Sequence, residues 1–132
     1  MKALDTNVLV RFLVKDDQQQ SKAVYRKFKQ TEVDKEVLFI PALVVLETVW
    51  VLESVYEVTR QEILDSLDLL LLMPILEFEA QSAIRSFVAS ARENKTDLSD
   101  LLIAHSAKVA GCECVITFDK TASNFELFEL LE

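Results

Sequence analysis

Glycine, histidine and cysteine are scarce in this chain of 132 residues, which contains one glycine, one histidine and two cysteines. Average usage would give about nine glycines in a chain of this length. The shortage excludes the phosphate-binding loops of P-loop and dinucleotide-binding proteins, because these loops need several glycines close together. Zinc fingers and Cys/His electron-transfer sites need more sulfur and imidazole ligands than the chain has. Carboxylates are therefore the groups left for any chemistry.

Basic residues are also few, at 14 against 22 acidic ones, and the formal net charge is −8. This balance argues against a nucleic-acid partner, because phosphate binding usually shows as a basic face. The argument is a weak one, since a bound divalent cation can invert the local charge.

Long apolar runs are absent as well. The longest uncharged runs, residues 37–46 and 69–76, fall short of the roughly 18 residues that a membrane span needs, and residues 1–5 contain no apolar signal region. Cys112 and Cys114 lie two residues apart in an apolar stretch and cannot readily pair within a strand, so we expect reduced thiols in the core. We expect a soluble, cytoplasmic protein without a membrane segment.

No Gly/Ser/Pro-rich linker and no internal repeat interrupts the chain, so we expect one domain over residues 1–132. Short apolar runs predict strands at residues 2–4, 37–40, 75–78 and 114–118. Helical spacing of apolar residues predicts helices near residues 8–13, 22–29, 41–56, 59–74, 80–91 and 97–110, and the tail at 125–131 is expected to form a strand or helix. This alternation predicts a helix-rich, three-layer α/β/α sandwich with a mainly parallel central sheet.

Three local signals mark helix ends. Pro41 suits the first turn of a helix, and Thr59 with Glu62 forms a capping box. The only glycine, Gly111, directly follows a predicted helix, where a left-handed residue commonly ends it.

Two aspartates follow predicted strands directly, Asp5 after the first and Asp119 after the strand near residues 114–118. In parallel α/β sheets, ligand sites form beyond the carboxyl ends of the strands, so the two are candidates for one pocket. Taken singly, each aspartate is better explained as a helix cap or turn residue, whereas for the two together neither explanation is preferred. The sequence leaves both interpretations open.

Glu47 is a third candidate, because its helical neighbours are all apolar: Leu43, Val44, Trp50 and Val51. A buried, ionised carboxylate there needs a partner, a metal or a shifted pKa. The alternative is a narrow solvated stripe shared with Ser54 and Glu57.

Asp97 and Asp100 open a helix that is apolar nearly all round, which predicts a buried helix. Both aspartates suit a helix N-terminus, where the dipole favours negative charge, and both are also placed to hold a cation. His105 lies on the apolar stripe of the same helix and is expected to pack in the core rather than to act as a ligand or base.

Taken together, these acids suit Mg²⁺ or Mn²⁺, hard cations that prefer carboxylate, water and phosphate oxygens. A metal held this way can polarise a phosphodiester and lower the pKa of a bound water. The residues thus point to metal-dependent phosphodiester hydrolysis.

Three segments resemble a known family. Residues 4–11 (Leu-Asp-Thr-Asn-Val-Leu-Val-Arg) resemble the opening of PIN-domain ribonucleases, particularly VapC-type toxins of toxin–antitoxin pairs. Residues 97–104 (Asp-Leu-Ser-Asp-Leu-Leu-Ile-Ala) resemble the family's third acidic motif, and residues 117–120 (Thr-Phe-Asp-Lys) its fourth. Glu47 is matched only by its place in the helix after the second strand.

The resemblance implies roles for individual residues. The acidic site would consist of Asp5, Glu47, Asp100 and Asp119, with Asp5, Asp100 and Asp119 as metal ligands and Glu47 as a ligand or as the group that orients the attacking water. Asp97 would be an auxiliary acid, and Thr6, Asn7 and Thr117 would hydrogen-bond to hold the carboxylates.

The resemblance also implies an RNA substrate, a homodimer and inhibition by a cognate antitoxin that docks near the site. Candidates for an approach surface for RNA are Lys22, Arg26, Lys27 and Lys29, although an ordinary solvated helix face is the better explanation for them. The Leu-rich residues 67–72 fit either the core or an oligomer interface.

The competing hypothesis is a non-catalytic acidic binding domain. A phosphoryl-accepting receiver does not fit, because the adjacent pair Asp16 and Asp17 follows a helix. A degenerate PIN-like scaffold would have lost one of the four acids, and this chain has all four.

Overall fold

The computed structural model describes residues 1–132 as two compact units, Met1–Glu79 and Ala80–Glu132. Each unit contains helices and a small parallel sheet, and no strand pair is antiparallel. The predicted helix-rich α/β class with parallel strands is therefore confirmed, with the strands hydrogen-bonded as one sheet within each unit. That the chain folds as one domain stays a prediction.

The first unit has a three-stranded sheet in the order β1-β2-β3. Its strands are β1 (Lys2–Ala3), β2 (Leu38–Ile40) and β3 (Leu76–Phe78), and its helices are α1 (Thr6–Leu13), α2 (Gln18–Val33), α3 (Ala42–Ser54) and α4 (Arg60–Leu71). Helix α1 packs against α2 and α3. Side chains of the sheet and of three helices form the buried core: Leu9, Val10, Ile40, Val45, Val49, Leu52, Ile63, Leu67 and Leu70.

The second unit contains α5 (Gln81–Ala91) and α6 (Leu98–Val109), which pack against each other. A two-stranded parallel sheet follows, formed by β4 (Val115–Thr117) and β5 (Phe128–Leu130), with a short 3₁₀ helix at Ala122–Asn124 between them. The tail therefore ends in a strand. The buried side chains include Ile84, Phe87, Leu98, Leu101, Ala104, Leu127 and Phe128.

The predicted helix-end signals are present, with one shift of boundary. The Thr59 hydroxyl accepts a hydrogen bond from the backbone N–H of Glu62 at 3.3 Å, as in a capping box. Gly111 follows α6 with φ +101°, a conformation that favours glycine. Pro41 lies just before α3, as its N-cap, rather than in its first turn.

One prediction about burial is wrong, the one that places the two cysteines in the core. Cys112 and Cys114 are free thiols as expected, but Cys112 is exposed and Cys114 half-buried, so neither belongs to the core. The Leu-rich segment divides between the core and the surface: Leu67 and Leu70 are buried, whereas Leu69 and Leu72 are exposed. No helix is both long and apolar enough to span a membrane.

Candidate functional site

Asp5 lies between the first strand and the first helix. Its carboxylate accepts a hydrogen bond from the backbone N–H of Thr6 at 2.8 Å, and Asp5 is the N-cap of α1. The backbone N–H of Leu4 bonds to the carbonyl of Phe39 in β2, which fixes the chain just before the aspartate. Thr6 is buried and Asn7 exposed in the first turn of α1. Asp5 is therefore a helix cap, as one of the two interpretations predicts, and the residue is exposed.

Glu47 is exposed on α3, contrary to the burial that its apolar neighbours predict. Leu43 and Trp50, one turn before and after it, are 78% and 53% exposed. The buried side of α3 carries Val45, Val49 and Leu52 instead. Of the two interpretations left open for Glu47, burial is wrong and the solvated face holds, because a helix that is apolar on most sides does not reveal which side the fold covers.

Asp97 and Asp100 form one arrangement at the start of α6. The Asp97 carboxylate accepts the backbone N–H of Asp100 at 3.1 Å, which makes Asp97 the N-cap. Burial raises the pKa of Asp100, and the negative charges of Asp97 and Asp119 raise it further. Asp100 is half-buried, so the prediction of a buried position holds in part.

Asp119 is held by a tight turn after β4. One of its carboxylate oxygens accepts the backbone N–H groups of Thr121 at 2.8 Å and Ala122 at 3.2 Å. The hydroxyl of Thr117 accepts the backbone N–H of Asp119 at 3.0 Å. Thr117 thus holds the backbone of Asp119, whereas the role that the resemblance implies for it, holding a carboxylate, stays a prediction.

The structure brings three of the predicted acids into electrostatic contact, namely Asp97, Asp100 and Asp119 of the second unit. Asp5 and Glu47 belong to the first unit. No group of three or more His, Cys, Asp or Glu side chains is arranged to hold a metal ion. The donor set is nevertheless one of carboxylate oxygens only, and the mutual repulsion at Asp100 is of the kind that a hard cation relieves.

His105 is buried among the second unit's apolar side chains, as expected. Its exposed fraction is 7%, and its ring lies 6.2 Å from that of Phe125. Burial lowers its pKa, and the charge of Lys108 lowers it further, so the neutral imidazole is favoured.

The four basic candidates on α2 are exposed but do not share one surface depression. Lys22 and Arg26 line a cavity of about 300 Å³ together with Arg11 and Lys15. Lys27 lines a different, more polar cavity of about 200 Å³. Lys29 lies 5.7 Å from the ring centre of Tyr25 in a cation–π arrangement.

Glu79 is an acid that sequence reasoning missed. It directly follows β3, and its carboxylate accepts the backbone N–H of Ala42 at 2.8 Å. Since Pro41 has no side-chain oxygen, Glu79 supplies the acceptor at the start of α3. Its position after a strand, the same signal that selected Asp5 and Asp119, could have identified it.

A second missed feature is the network around Arg11. Its guanidinium donates to the Tyr56 hydroxyl at 3.0 Å and to Gln20 at 2.6 Å, and it lies 3.4 Å from Asp16. The Tyr56 hydroxyl in turn donates to Asp16 at 2.9 Å. These bonds join α1, α2 and the end of α3, and no sequence spacing predicts them.

Comparison with known proteins agrees with these features. The model of the PIN domain family matches residues 2–126. The chain therefore belongs to the PIN domain family. It is also similar to a VapC ribonuclease of Aquifex aeolicus (strain VF5), with 28% identity over 120 residues that cover 91% of this chain and 88% of that protein. The predicted resemblance to PIN-domain, VapC-type toxins is confirmed.

Proposed function

We propose that this protein is an endoribonuclease that depends on Mg²⁺ or Mn²⁺ and acts as a toxin neutralised by a cognate antitoxin. The observation that carries the proposal is the grouping of carboxylates around the start of α6, where the Asp97 side chain accepts the backbone N–H of Asp100 and the charge of Asp119 also acts on Asp100. A carboxylate that lies beside other carboxylates is suited to a hard cation, which relieves their mutual repulsion. The similarity to a VapC ribonuclease supports RNA as the substrate.

Asp5, Asp100 and Asp119 would hold the cation, which when bound would polarise the phosphodiester and lower the pKa of the attacking water. Asp97 fixes the first turn of α6 through the backbone N–H of Asp100 and so orients that carboxylate. Thr117 and the turn after it do the same for Asp119. Glu47, which is exposed, would ligate the cation or orient the attacking water.

The cavity of about 300 Å³ supports an approach surface for RNA, because four basic residues line it: Arg11, Lys15, Lys22 and Arg26. A homodimer and an antitoxin partner belong to the same proposal. They rest on the similarity to VapC-type toxins.

The test is cleavage of single-stranded RNA by the purified protein. We expect cleavage with Mg²⁺ or Mn²⁺ and none with chelator. Asp100→Asn should lower the rate by more than about a hundredfold with an unchanged circular-dichroism spectrum. Glu126→Gln, an exposed acid of the same unit outside the site, is the matched control and should retain the parent rate.

A non-catalytic PIN-like scaffold is the second candidate, and the lack of a ready three-ligand metal cluster favours it. Calorimetric titration with Mn²⁺ separates the two. Binding that Asp100→Asn removes supports the nuclease. Cleavage that chelator does not affect, or an Asp100→Asn variant as active as the parent, rejects the metal-dependent nuclease.

A further inference from the structure

Trp50 is the only tryptophan of the chain, and the fold leaves it on the surface. Its exposed fraction is 53%, and it lies on α3 three residues after Glu47, on the same face of the helix. Leu43, one turn before Glu47 on that face, is 78% exposed. A proposed catalytic carboxylate is thus flanked along the helix by exposed apolar side chains.

The core does not require this indole. Helix α3 is anchored by Val45, Val49 and Leu52, whose side chains are almost fully buried. The indole is left half in water, so its ring remains accessible to a ligand on this face of α3.

The charge of the protein indicates what kind of contact an RNA ligand needs. The protein has a net charge of −8, so phosphate contacts alone provide little attraction outside the cavity that Arg11, Lys15, Lys22 and Arg26 line. Stacking of a nucleobase on an aromatic ring is largely independent of charge, and every base has a face suited to it.

We propose that Trp50 binds RNA by stacking on an unpaired nucleobase next to Glu47, an inference that rests on the proposed function. The stacking selects single-stranded over double-stranded RNA, because bases in a duplex are already stacked and paired. Trp50 is then a substrate-binding residue that places the adjoining phosphodiester beside Glu47.

The single tryptophan makes the contact directly measurable. In the Asp100→Asn background with Mg²⁺, which prevents cleavage, we expect a single-stranded oligoribonucleotide to quench the Trp50 fluorescence. An abasic oligonucleotide of equal length and charge should quench much less. Equal effects of the two oligonucleotides, or no effect of either, would overturn the proposal.

Variants of the otherwise intact protein test the same contact by kinetics. Trp50→Leu keeps an apolar side chain but removes the ring, and should raise KM for single-stranded RNA about tenfold with little change in kcat. Trp50→Phe should restore most of the loss. Val33→Ala, which shortens an apolar side chain that is 72% exposed, is the surface control and should behave as the parent.

The principal rival occupant is a second copy of the chain. Light scattering of the parent and of Trp50→Leu decides this: loss of a dimer in the variant, together with absent quenching in the parent, overturns the RNA contact. If the parent cleaves RNA and Trp50→Leu has an unchanged KM, the stacking proposal fails while the proposed function stands. If the parent cleaves no RNA at all, the proposed function itself fails.

Discussion

Asp100 lies where burial and the charges of Asp97 and Asp119 together oppose its ionisation. Its raised pKa means that the folded protein binds this proton more tightly than the unfolded chain does. The free energy of unfolding therefore falls as pH rises above about 3.9, the ordinary pKa of aspartate in the unfolded chain. The loss is complete once pH exceeds the raised pKa of Asp100 in the folded protein.

We accordingly predict that Asp100→Asn is more stable than the parent at neutral pH in the presence of chelator. The advantage should shrink as pH falls through the window below the raised pKa, because Asp100 then becomes neutral in both states. Thermal unfolding from pH 3 to pH 8 measures this. With Mn²⁺ in place of chelator, the parent should become more stable than Asp100→Asn, since the cation binds the ionised carboxylate. A pH-independent difference would contradict the prediction.

Glu47 illustrates what residue patterns leave undecided. The apolar residues around it predicted burial, yet it is exposed along with Leu43 and Trp50. Spacing shows which side chains share a face of a helix, but the covering of that face depends on segments distant in sequence.

At the level of secondary-structure elements, Asp97 has an observed role as a helix cap and a predicted role as an auxiliary acid, which substitution can separate. As the N-cap of α6 it bonds to the backbone N–H of Asp100. Asp97→Ala should cost about 1 kcal/mol of unfolding free energy in urea denaturation, and Asp97→Ser should restore most of it because the hydroxyl can accept the same bond. Loss of RNA cleavage in Asp97→Ser, despite restored stability, would assign Asp97 an acidic role beyond capping.

Two helices end in the same hydrogen-bonded motif with different residues at the left-handed position. After α6, Gly111 has φ +101°, and Cys112 donates its backbone N–H to Ala107. After α2, Lys35 has φ +55°, and Glu36 donates its backbone N–H to Thr31. Both pairs of residues form Schellman-type ends.

We predict opposite effects of exchange at these two positions. Gly111→Ala should destabilise the protein by about 1–2 kcal/mol, through backbone strain alone, because nothing lies within 4 Å of the added Cβ. Lys35→Gly should stabilise it by about 0.5–1 kcal/mol, since relief of strain exceeds the added chain entropy. Urea denaturation measures both; a stabilising Gly111→Ala would contradict the assigned conformation.

For the molecule as a whole, we predict that residues 1–132 unfold as one domain. The chain offers a natural reporter in each unit: the fluorescence of Trp50 in the first and a label on the exposed Cys112 in the second. A Cys114→Ser variant confines the label to Cys112. The two urea transitions should coincide. Separate midpoints would instead show two domains that unfold independently.

Much of the fold follows from local chemistry that the sequence displays. The capping box at Thr59, the glycine end at Gly111 and the alternation of apolar runs with helical stripes predicted the helix-rich, parallel α/β class. Asp5, Asp97 and Asp119 were identified after strands or at a helix start because their local hydrogen bonds involve neighbouring residues.

The tertiary structure alone decided exposure and long-range pairing. It left Glu47 and Trp50 at the surface. It also brought the Glu79 carboxylate to the backbone N–H of Ala42, at the start of α3, and the Arg11 guanidinium to the Tyr56 hydroxyl, 45 positions away in sequence. It also left the two scarce cysteines outside the core. The physical reason is range: caps and helical spacing act within a few residues, whereas burial and ion pairing depend on which distant segments the folded chain brings together.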